Sequence, residues 1–350
     1  MALILYLNKK NSAPPIDFRD CPAKTYLDSN GNVRQGRSVL NHCEIVGAVA
    51  AEIISRYPEE MRNALFVTGA PLVAAAHDIG KVSPYFVEKI RQACTPGFSS
   101  VAAQQGINPK LESQWGGHAG VSQVTAKALA APKYVPEVLG QHHGFSPNVA
   151  IYRSDADVFG GKAWQEQREA LVAELKKLLS NDWPKIESVP QARLLSGLTS
   201  VSDWIGSGPF FENPATPWEG NISRALDDAG FIPPTYQPGL SFQQVFGFVP
   251  HQAQQQLIDA VSSPGVYVLE APMGMGKTEA ALYVAYRMLD SGQASGIYFA
   301  LPTQLTSNKI YERFSQFLSS TLAQDCRHRS LLLHGKAWLL DTEMGEEGRP

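Results

Sequence analysis

Pro71-Leu-Val-Ala-Ala-Ala-His77-Asp78-Ile-Gly-Lys81 is the stretch on which the reading of this chain turns. An apolar, helix-like run ends in an imidazole and a carboxylate at consecutive positions. Side chains placed so closely on a helix can face one cavity. There the two oxygens of a carboxylate can bridge two metal ions, whereas a neutral imidazole holds only one. Lys81 follows His77 by four residues, which puts it one turn on along the same helix face, within reach of an anion held at the pair. A lone His-Asp pair arises easily by chance, so its meaning depends on what the rest of the chain places beside it.

Outward from this stretch, apolar residues recur at three-to-four spacing over 42–57, 72–89, 120–131, 136–143, 163–179 and 191–205, which predicts six helices with little β-branched alternation between them. Five of the eight histidines precede residue 150 and fall on these helices. His42 lies in the first, His77-Asp78 in the second and His118 at the start of the third, after Gly116-Gly117. His142-His143 end the fourth, where Gly144 reads as a left-handed helix stop. Asp203 lies in the last helix, within Leu198-Thr-Ser-Val-Ser-Asp-Trp-Ile-Gly206. The set predicts a helical bundle in which each of these five helices contributes one or two ligands to a divided metal site. Imidazole with carboxylate suits Mn, Co, Ni, Fe or Zn better than Ca or Mg. Two such ions at short distance can clamp the attacking and leaving oxygens of a phosphodiester and activate water at neutral pH.

Composition narrows the surroundings. The chain has 350 residues, 44% hydrophobic and 18% charged, enough for two or three globular domains. A net charge of −3 gives no basic footprint, so any nucleic acid must be held in a local groove. The four cysteines have no close spacing, which argues against a disulfide scaffold or zinc knuckle and for a reducing, cytoplasmic setting. Residues 1–7 are apolar but short and lack a basic lead, so they read as a first strand. No window is long enough to span a membrane.

Beyond Gly206 the prolines 209, 214, 217, 233, 234, 238 and 250 break any long periodic element, and the pattern then changes to βα alternation. This predicts a helical domain over 1–207, a proline-rich linker over 208–249 and a second domain over 250–350. Strands are expected at 266–270, 296–301 and 330–334, with helices at 277–289 and 307–318 between them. Ala271-Pro-Met-Gly-Met-Gly-Lys-Thr278 matches the phosphate-binding loop of P-loop proteins except that Ala271 replaces the first glycine. The backbone N–H groups of Gly274, Met275 and Gly276 and the following helix N-terminus would face the phosphates of ATP. Lys277 would reach the terminal phosphates and Thr278 would hold Mg.

His42, His77-Asp78-Ile-Gly-Lys81, His118, His142-His143-Gly144 and Ser202-Asp203-Trp204-Ile205 together resemble the HD phosphohydrolase superfamily, and more narrowly the nuclease domain of the CRISPR-associated helicase-nucleases of type I systems. The resemblance covers nearly all of residues 37–207. It implies that His42, His77, Asp78 and Asp203 hold one metal, and that His118, His142 and His143 hold the other, with Asp78 bridging. It also implies that Lys81 lies beside the scissile phosphate. Pro250-His-Gln252 and Leu301-Pro-Thr303-Gln304-Leu-Thr306-Ser-Asn308 resemble the first motor domain of superfamily 2 helicases. Gln252 would read adenine, and Thr303, Gln304 and Thr306 would grip a nucleic-acid backbone; Leu332-Leu-His-Gly335 falls where another backbone-contacting loop would lie. The expected fold class is therefore a mainly α HD-type domain followed by an incomplete α/β RecA-like helicase domain.

No Asp-Glu-x-His or Asp-Glu-x-Asp box follows the phosphate loop, so the chain is expected to end partway through the first motor domain and to hydrolyse ATP poorly, with residues after about 250 less stable than the helical part. The function implied is metal-dependent cleavage of single-stranded DNA, coupled in the intact protein to ATP-driven unwinding and directed by a guide-RNA surveillance complex of a type I CRISPR system. The competing expectation is an HD phosphohydrolase acting on nucleotides, with the phosphate loop as a regulatory ATP sensor. A third is a non-enzymatic ATP-binding module in which the histidines only pack.

Overall fold

Helices dominate residues 15–95, 114–300, 304–324 and 326, which are the residues described by the computed structural model of the chain. Two units are distinguished: Met1–Ile54 with Leu65–Leu226, and Ser55–Ala64 with Asp227–Pro350. The proline-rich stretch 208–249 is divided between them at Leu226 and contributes buried Phe211, Phe242 and Val245. No helix among the described residues is long and apolar enough to cross a membrane.

The first unit opens with a feature that helical periodicity did not predict, a hairpin of β1 (Thr25–Leu27) and β2 (Val33–Gln35) paired antiparallel. Its turn is organised by Asp28, whose carboxylate accepts from the backbone N–H groups of Asn30 and Asn32 and from Arg34 Nε, each at 2.9 Å. The first strand expected at residues 1–7 lies outside the described residues. Arg37 then ties the entry of α1 (Val39–Ser55) to the far end of the unit. Its guanidinium donates to the carbonyls of Phe211, Asn213 and Thr216, each at 2.7 Å, and to Asn41 Oδ1 at 2.8 Å. α1 buries Ile45, Val46, Val49, Ala50 and Ile53 on the same side as His42, the three-to-four pattern that predicted it. α2 (Glu59–Leu65), all but the last residue of which group with the second unit, buries no residue and so carries no apolar stripe for a periodicity argument to find.

The predicted helix over 72–89 is three elements. α3 (Ala70–Ala75) gives way to a 3-10 stretch at Ala76–Lys81, and α4 (Pro84–Cys94) starts afresh after Ser83, whose hydroxyl accepts from Phe86 N. Ser83-Pro84 is a helix start written in the sequence: a capping hydroxyl followed by the residue best tolerated at the first helical position. α5 (Gly117–Ala128), α6 (Val135–Gly140) and α7 (Gly161–Leu178) pack around the 3-10 stretch, and α8 (Val189–Gly206), capped by Ser188, packs on α3 and α6. Ala76 through Gly80 are all buried. Gly80 is required there by space. A Cβ on it would stand 2.0 Å from the His118 carbonyl oxygen and 2.6 Å from Ser122 N, both backbone atoms.

Arg168, fully buried on α7, holds this stretch in register. It donates to the carbonyls of Val82 (2.9 Å), Phe159 (3.2 Å) and Ser154 (2.7 Å), so three loop segments share one guanidinium. Burial lowers its pKa to about 10, and the ring of oxygens is what makes a charge tolerable there.

α9 (Ile222–Asp228) spans the junction of the units. The second unit is built from α10 (Phe242–Phe246), α11 (Gln252–Ala260), α12 (Lys277–Asp290) and α13 (Gln304–Thr321). Phe242, Val245, Ile258, Leu282, Tyr283, Tyr286 and Phe317 form its core. The expected strands are where structure and expectation part. Residues 266–270 and 296–300 form no ladder among the described residues, with Val266 95%, Val268 79% and Tyr298 87% exposed. A strand of a parallel sheet is stabilised by neighbours on both edges and helices on both faces, and these apolar runs have no paired strand here. Residues 330–334 lie outside the described residues.

Candidate metal centre

Asp78 is the hub. It is 1% exposed, on the 3-10 stretch, and its two oxygens face different partners. Oδ2 lies 3.1 Å from His42 Nε2, 3.1 Å from His77 Nε2 and 2.5 Å from Lys81 Nζ. Oδ1 lies 3.2 Å from His118 Nε2 and 3.6 Å from His142 Nε2. Asp203 Oδ1, arriving from α8, is 3.4 Å from both His42 Nε2 and His77 Nε2. His143 Nε2 is 3.0 Å from His118 Nε2. The ligand atoms thus gather into two groups, His42, His77, Asp78 and Asp203, and His118, His142 and His143, each with its atoms within 4.8 Å of one another.

The imidazoles are oriented before any ligand arrives. Nδ1 of His77 donates to the Ala74 carbonyl and Nδ1 of His142 to the Leu139 carbonyl, both at 2.7 Å. A carbonyl can only accept, so in the neutral ring the proton stays on Nδ1 and Nε2 presents a lone pair to the cavity. Ser200 Oγ donates to the His142 carbonyl at 3.2 Å and holds that turn to α8.

The electrostatics follow from packing five imidazoles around two carboxylates. Burial opposes a charge on His77, but Asp78 and Asp203 outweigh it and push the ring up to about 10. Burial likewise works against ionised Asp78, yet His77 and Lys81 hold its carboxyl well below the usual range, and Asp203 is lowered in the same way, chiefly by His77. His118 is lowered by burial, and His142 falls to about 3 through burial and the neighbouring His77.

Whether these residues fit metal ions can be tested on their unmet valences. His42 Nε2, His77 Nε2, His142 Nε2 and both oxygens of Asp78 are buried and make no hydrogen bond of acceptable geometry, although they lie close together. Leaving one buried polar atom unsatisfied costs roughly 1–3 kcal/mol. Five converging on one cavity, each a lone-pair donor once the rings are neutral and Lys81 draws back from Oδ2, are what divalent cations satisfy, and the mixture of nitrogen and carboxylate oxygen suits transition metals.

Two residues in this neighbourhood were not singled out by sequence. Lys24 reaches from beside β1 to donate to the Ser207 carbonyl at 2.9 Å, while Ser207 Oγ donates to Asp203 Oδ1 at 3.0 Å. The chain of contacts fixes the end of α8 and hence the Asp203 carboxylate. Burial lowers the pKa of Lys24, partly opposed by Glu212. Lys24→Met is expected to weaken metal binding about tenfold while the unit stays folded. Calorimetric titration with Mn and a thermal melt check this, and unchanged affinity would show that Ser207 and Asp203 need no support from the lysine.

In the second unit, Gly274 and Gly276 adopt φ of 82° and 68°, left-handed values that favour glycine, and α12 begins at Lys277. Lys277 Nζ donates to the carbonyls of Ala271 (2.5 Å) and Pro272 (3.0 Å) of its own loop. Gly274, Met275, Gly276, Lys277 and Thr278 line a cleft of about 1000 Å³. Gln252 is exposed at the start of α11, and it is Gln254 that lines the cleft, donating to the Gly276 carbonyl at 2.8 Å. Gln304 and Thr306 fall in the first turn of α13; Thr303 and the 332–335 segment lie outside the described residues.

The sequence pattern of the family described as "Cas3, HD domain" matches residues 23–211, more than half of the chain and the whole of the centre just described. The chain belongs to the Cas3 family. A second pattern, "DEAD/DEAH box helicase", matches residues 251–336. Among curated Cas3 proteins, the CRISPR-associated nuclease/helicase of Streptococcus thermophilus is 29% identical over 77% of this chain and 34% of its own length. The CRISPR-associated endonuclease/helicase of Thermus thermophilus is 30% identical over 86% of this chain and 36% of its own. The chain thus spans about a third of the length of these Cas3 relatives. A crystal structure of T. fusca Cas3 with AMPPNP has the same fold, with a TM-score of 0.72 at 23% identity over 93% of this chain and 40% of that one.

Proposed function

We propose that the centre hydrolyses phosphodiester bonds of single-stranded DNA with the help of two divalent transition-metal ions, Mn, Co, Ni or Fe. His42, His77, Asp78 and Asp203 would hold one ion and His118, His142 and His143 the other, with Asp78 shared between the two groups. The observation that carries this reading is the division of Asp78, with Oδ2 among one set of imidazoles and Oδ1 among the other. Bound metals supply Lewis-acid activation of water and neutralise the charge that develops on the phosphate. The chain's own residues do the rest. Ala74 and Leu139 keep the histidine protons away from the cavity, Asp203 fixes the outer edge of the first group, and Lys81, 13% exposed, can leave Asp78 for a non-bridging phosphate oxygen.

In the whole protein, the P-loop part binds ATP and Mg and drives unwinding that feeds the displaced strand to the centre. A guide-RNA surveillance complex of a type I CRISPR system supplies the choice of target in antiviral defence. This division of labour needs only backbone contacts from the nuclease.

Circular single-stranded DNA incubated with Mn, Co, Ni or Fe is expected to be nicked and then degraded, and chelation to stop it. Nucleotides and cyclic nucleotides in parallel should turn over far more slowly. Hydrolysis of nucleotides with intact circles would replace this function with the nucleotide-directed one, and a purified chain with neither activity nor bound metal would sink both.

A further inference from the structure

Trp204 follows Asp203 on α8 and is 70% exposed. Single exposed aromatic residues are common on protein surfaces, so position rather than exposure decides what this one means. Four residues before it, Ser200 donates through Oγ to the His142 carbonyl, which fixes the side of α8 that faces the His142-His143 turn. Residues four apart on a helix lie on nearly the same face, one turn along, so Trp204 stands on that side of α8 just past the contact. The turn itself ends in a second exposed ring, Phe145, 55% exposed and two residues beyond the exposed His143. The accessible side of the centre, where His118 and Asp203 each have 17% side-chain exposure and His143 is open, is thus flanked along the chain by two exposed rings, one residue beyond Asp203 and two beyond His143.

We infer that Trp204 is a stacking platform for the nucleobase beside the phosphate held at the centre, with Phe145 as the second contact ring. The inference deepens the phosphodiester reading above and rests on it. Metals and Lys81 recognise only phosphate, which single strand, duplex and simple diesters share. An indole face recognises something else. Bases in a duplex are already stacked on their neighbours, whereas an unpaired base can turn its face to a ring, and such stacking tolerates any sequence. The ring thus makes a phosphate-directed centre prefer an unpaired strand, without a basic surface that the net charge of −3 does not supply.

The test compares wild type, Trp204→Ala, Trp204→Phe and Phe145→Ala under Mn. The substrates are a single-stranded oligodeoxynucleotide, the same oligonucleotide with abasic positions, and bis(p-nitrophenyl) phosphate, a diester with no base. For Trp204→Ala, KM on the oligonucleotide should rise roughly tenfold, with bound metal and turnover of the baseless diester unchanged. Trp204→Phe should recover most of the loss and Phe145→Ala should show a smaller one. Abasic positions should penalise wild type, and Trp204→Ala far less, the remainder being due to Phe145. An unchanged KM for Trp204→Ala overturns the proposal, as does a parallel loss on the baseless diester, which would make the ring a support of the fold. If wild type bound Mn yet hydrolysed neither substrate, the phosphodiester reading itself would fall, an outcome distinct from the other two.

Discussion

Asp78→Asn is expected to lower cleavage of single-stranded DNA by about 10³-fold or more, the scale seen when one member of a cooperating catalytic unit is removed. The amide keeps the size of the side chain but loses its charge, and one of its two faces becomes an N–H₂ donor. That donor must point either at His42 and His77 or at His118 and His142, because the two carboxylate oxygens face these pairs separately. In either orientation one group of ligands loses its shared oxygen and gains a hydrogen aimed at its cation. The centre should retain at most one ion per chain. Metal analysis of the purified variant reads this directly, beside a rate assay and a melting curve showing that the unit still folds. A variant that holds two ions and cleaves at more than a tenth of the wild-type rate would show that Asp78 does not bridge.

Gly80→Ala should cost stability first, and the chemistry through it. The added Cβ meets the His118 carbonyl oxygen at 2.0 Å, Ser122 N at 2.6 Å and Ser122 Oγ at 2.9 Å. Two of these three atoms belong to the backbone of α5, so no side-chain rotation relieves the clash. The 3-10 stretch and α5 must separate, and the hydrogen bond from Gly80 N to Ser122 Oγ, 2.9 Å, goes with them. Overpacking of this kind costs about 3 kcal/mol, which for a unit of this size is a drop of roughly 10 °C in melting temperature. Because His118 is carried on the displaced helix, metal affinity should fall as well. Gly197→Ala is the matched control. It lies inside α8 with nothing within 4 Å of the new methyl group, so it should leave the melting temperature unchanged or slightly raised. Equal melting of the two variants would mean that the close approach at Gly80 is not needed.

How much of this could be read from the residues alone depends on the range of each interaction. The helices bearing His42, His118 and Asp203, and the turn that carries His142 just past the end of α6 at Gly140, each set a chemically conspicuous side chain beside an apolar stripe, and both are local patterns. The 72–89 region looked like one helix because every residue from Ala76 to Gly80 is buried, which erases the contrast that reveals a change of winding. Lys24 and Arg168 were invisible for a different reason. Their acceptors at Ser207 and Val82 lie 183 and 86 residues away, and nothing near an isolated lysine or arginine announces a distant carbonyl. The strands expected at 266–270 and 296–301 were read from apolar runs alternating with helical ones, a pattern that records a wish to be covered but not the presence of a neighbour to pair with.

The winding of residues 76–81 has one more consequence. With three residues to the turn, positions 78 and 81 stand in a single column, whereas an α-helix would set them about 60° apart. The lysine is stacked over the carboxylate, at 2.5 Å, by the pitch of the backbone. Relaxing this short stretch to ordinary α-helical pitch would swing the cation out of the column with every residue still in place. A substitution that makes residues 76–81 better α-helix formers is therefore expected to loosen the Lys81–Asp78 pair and free the lysine for another anion.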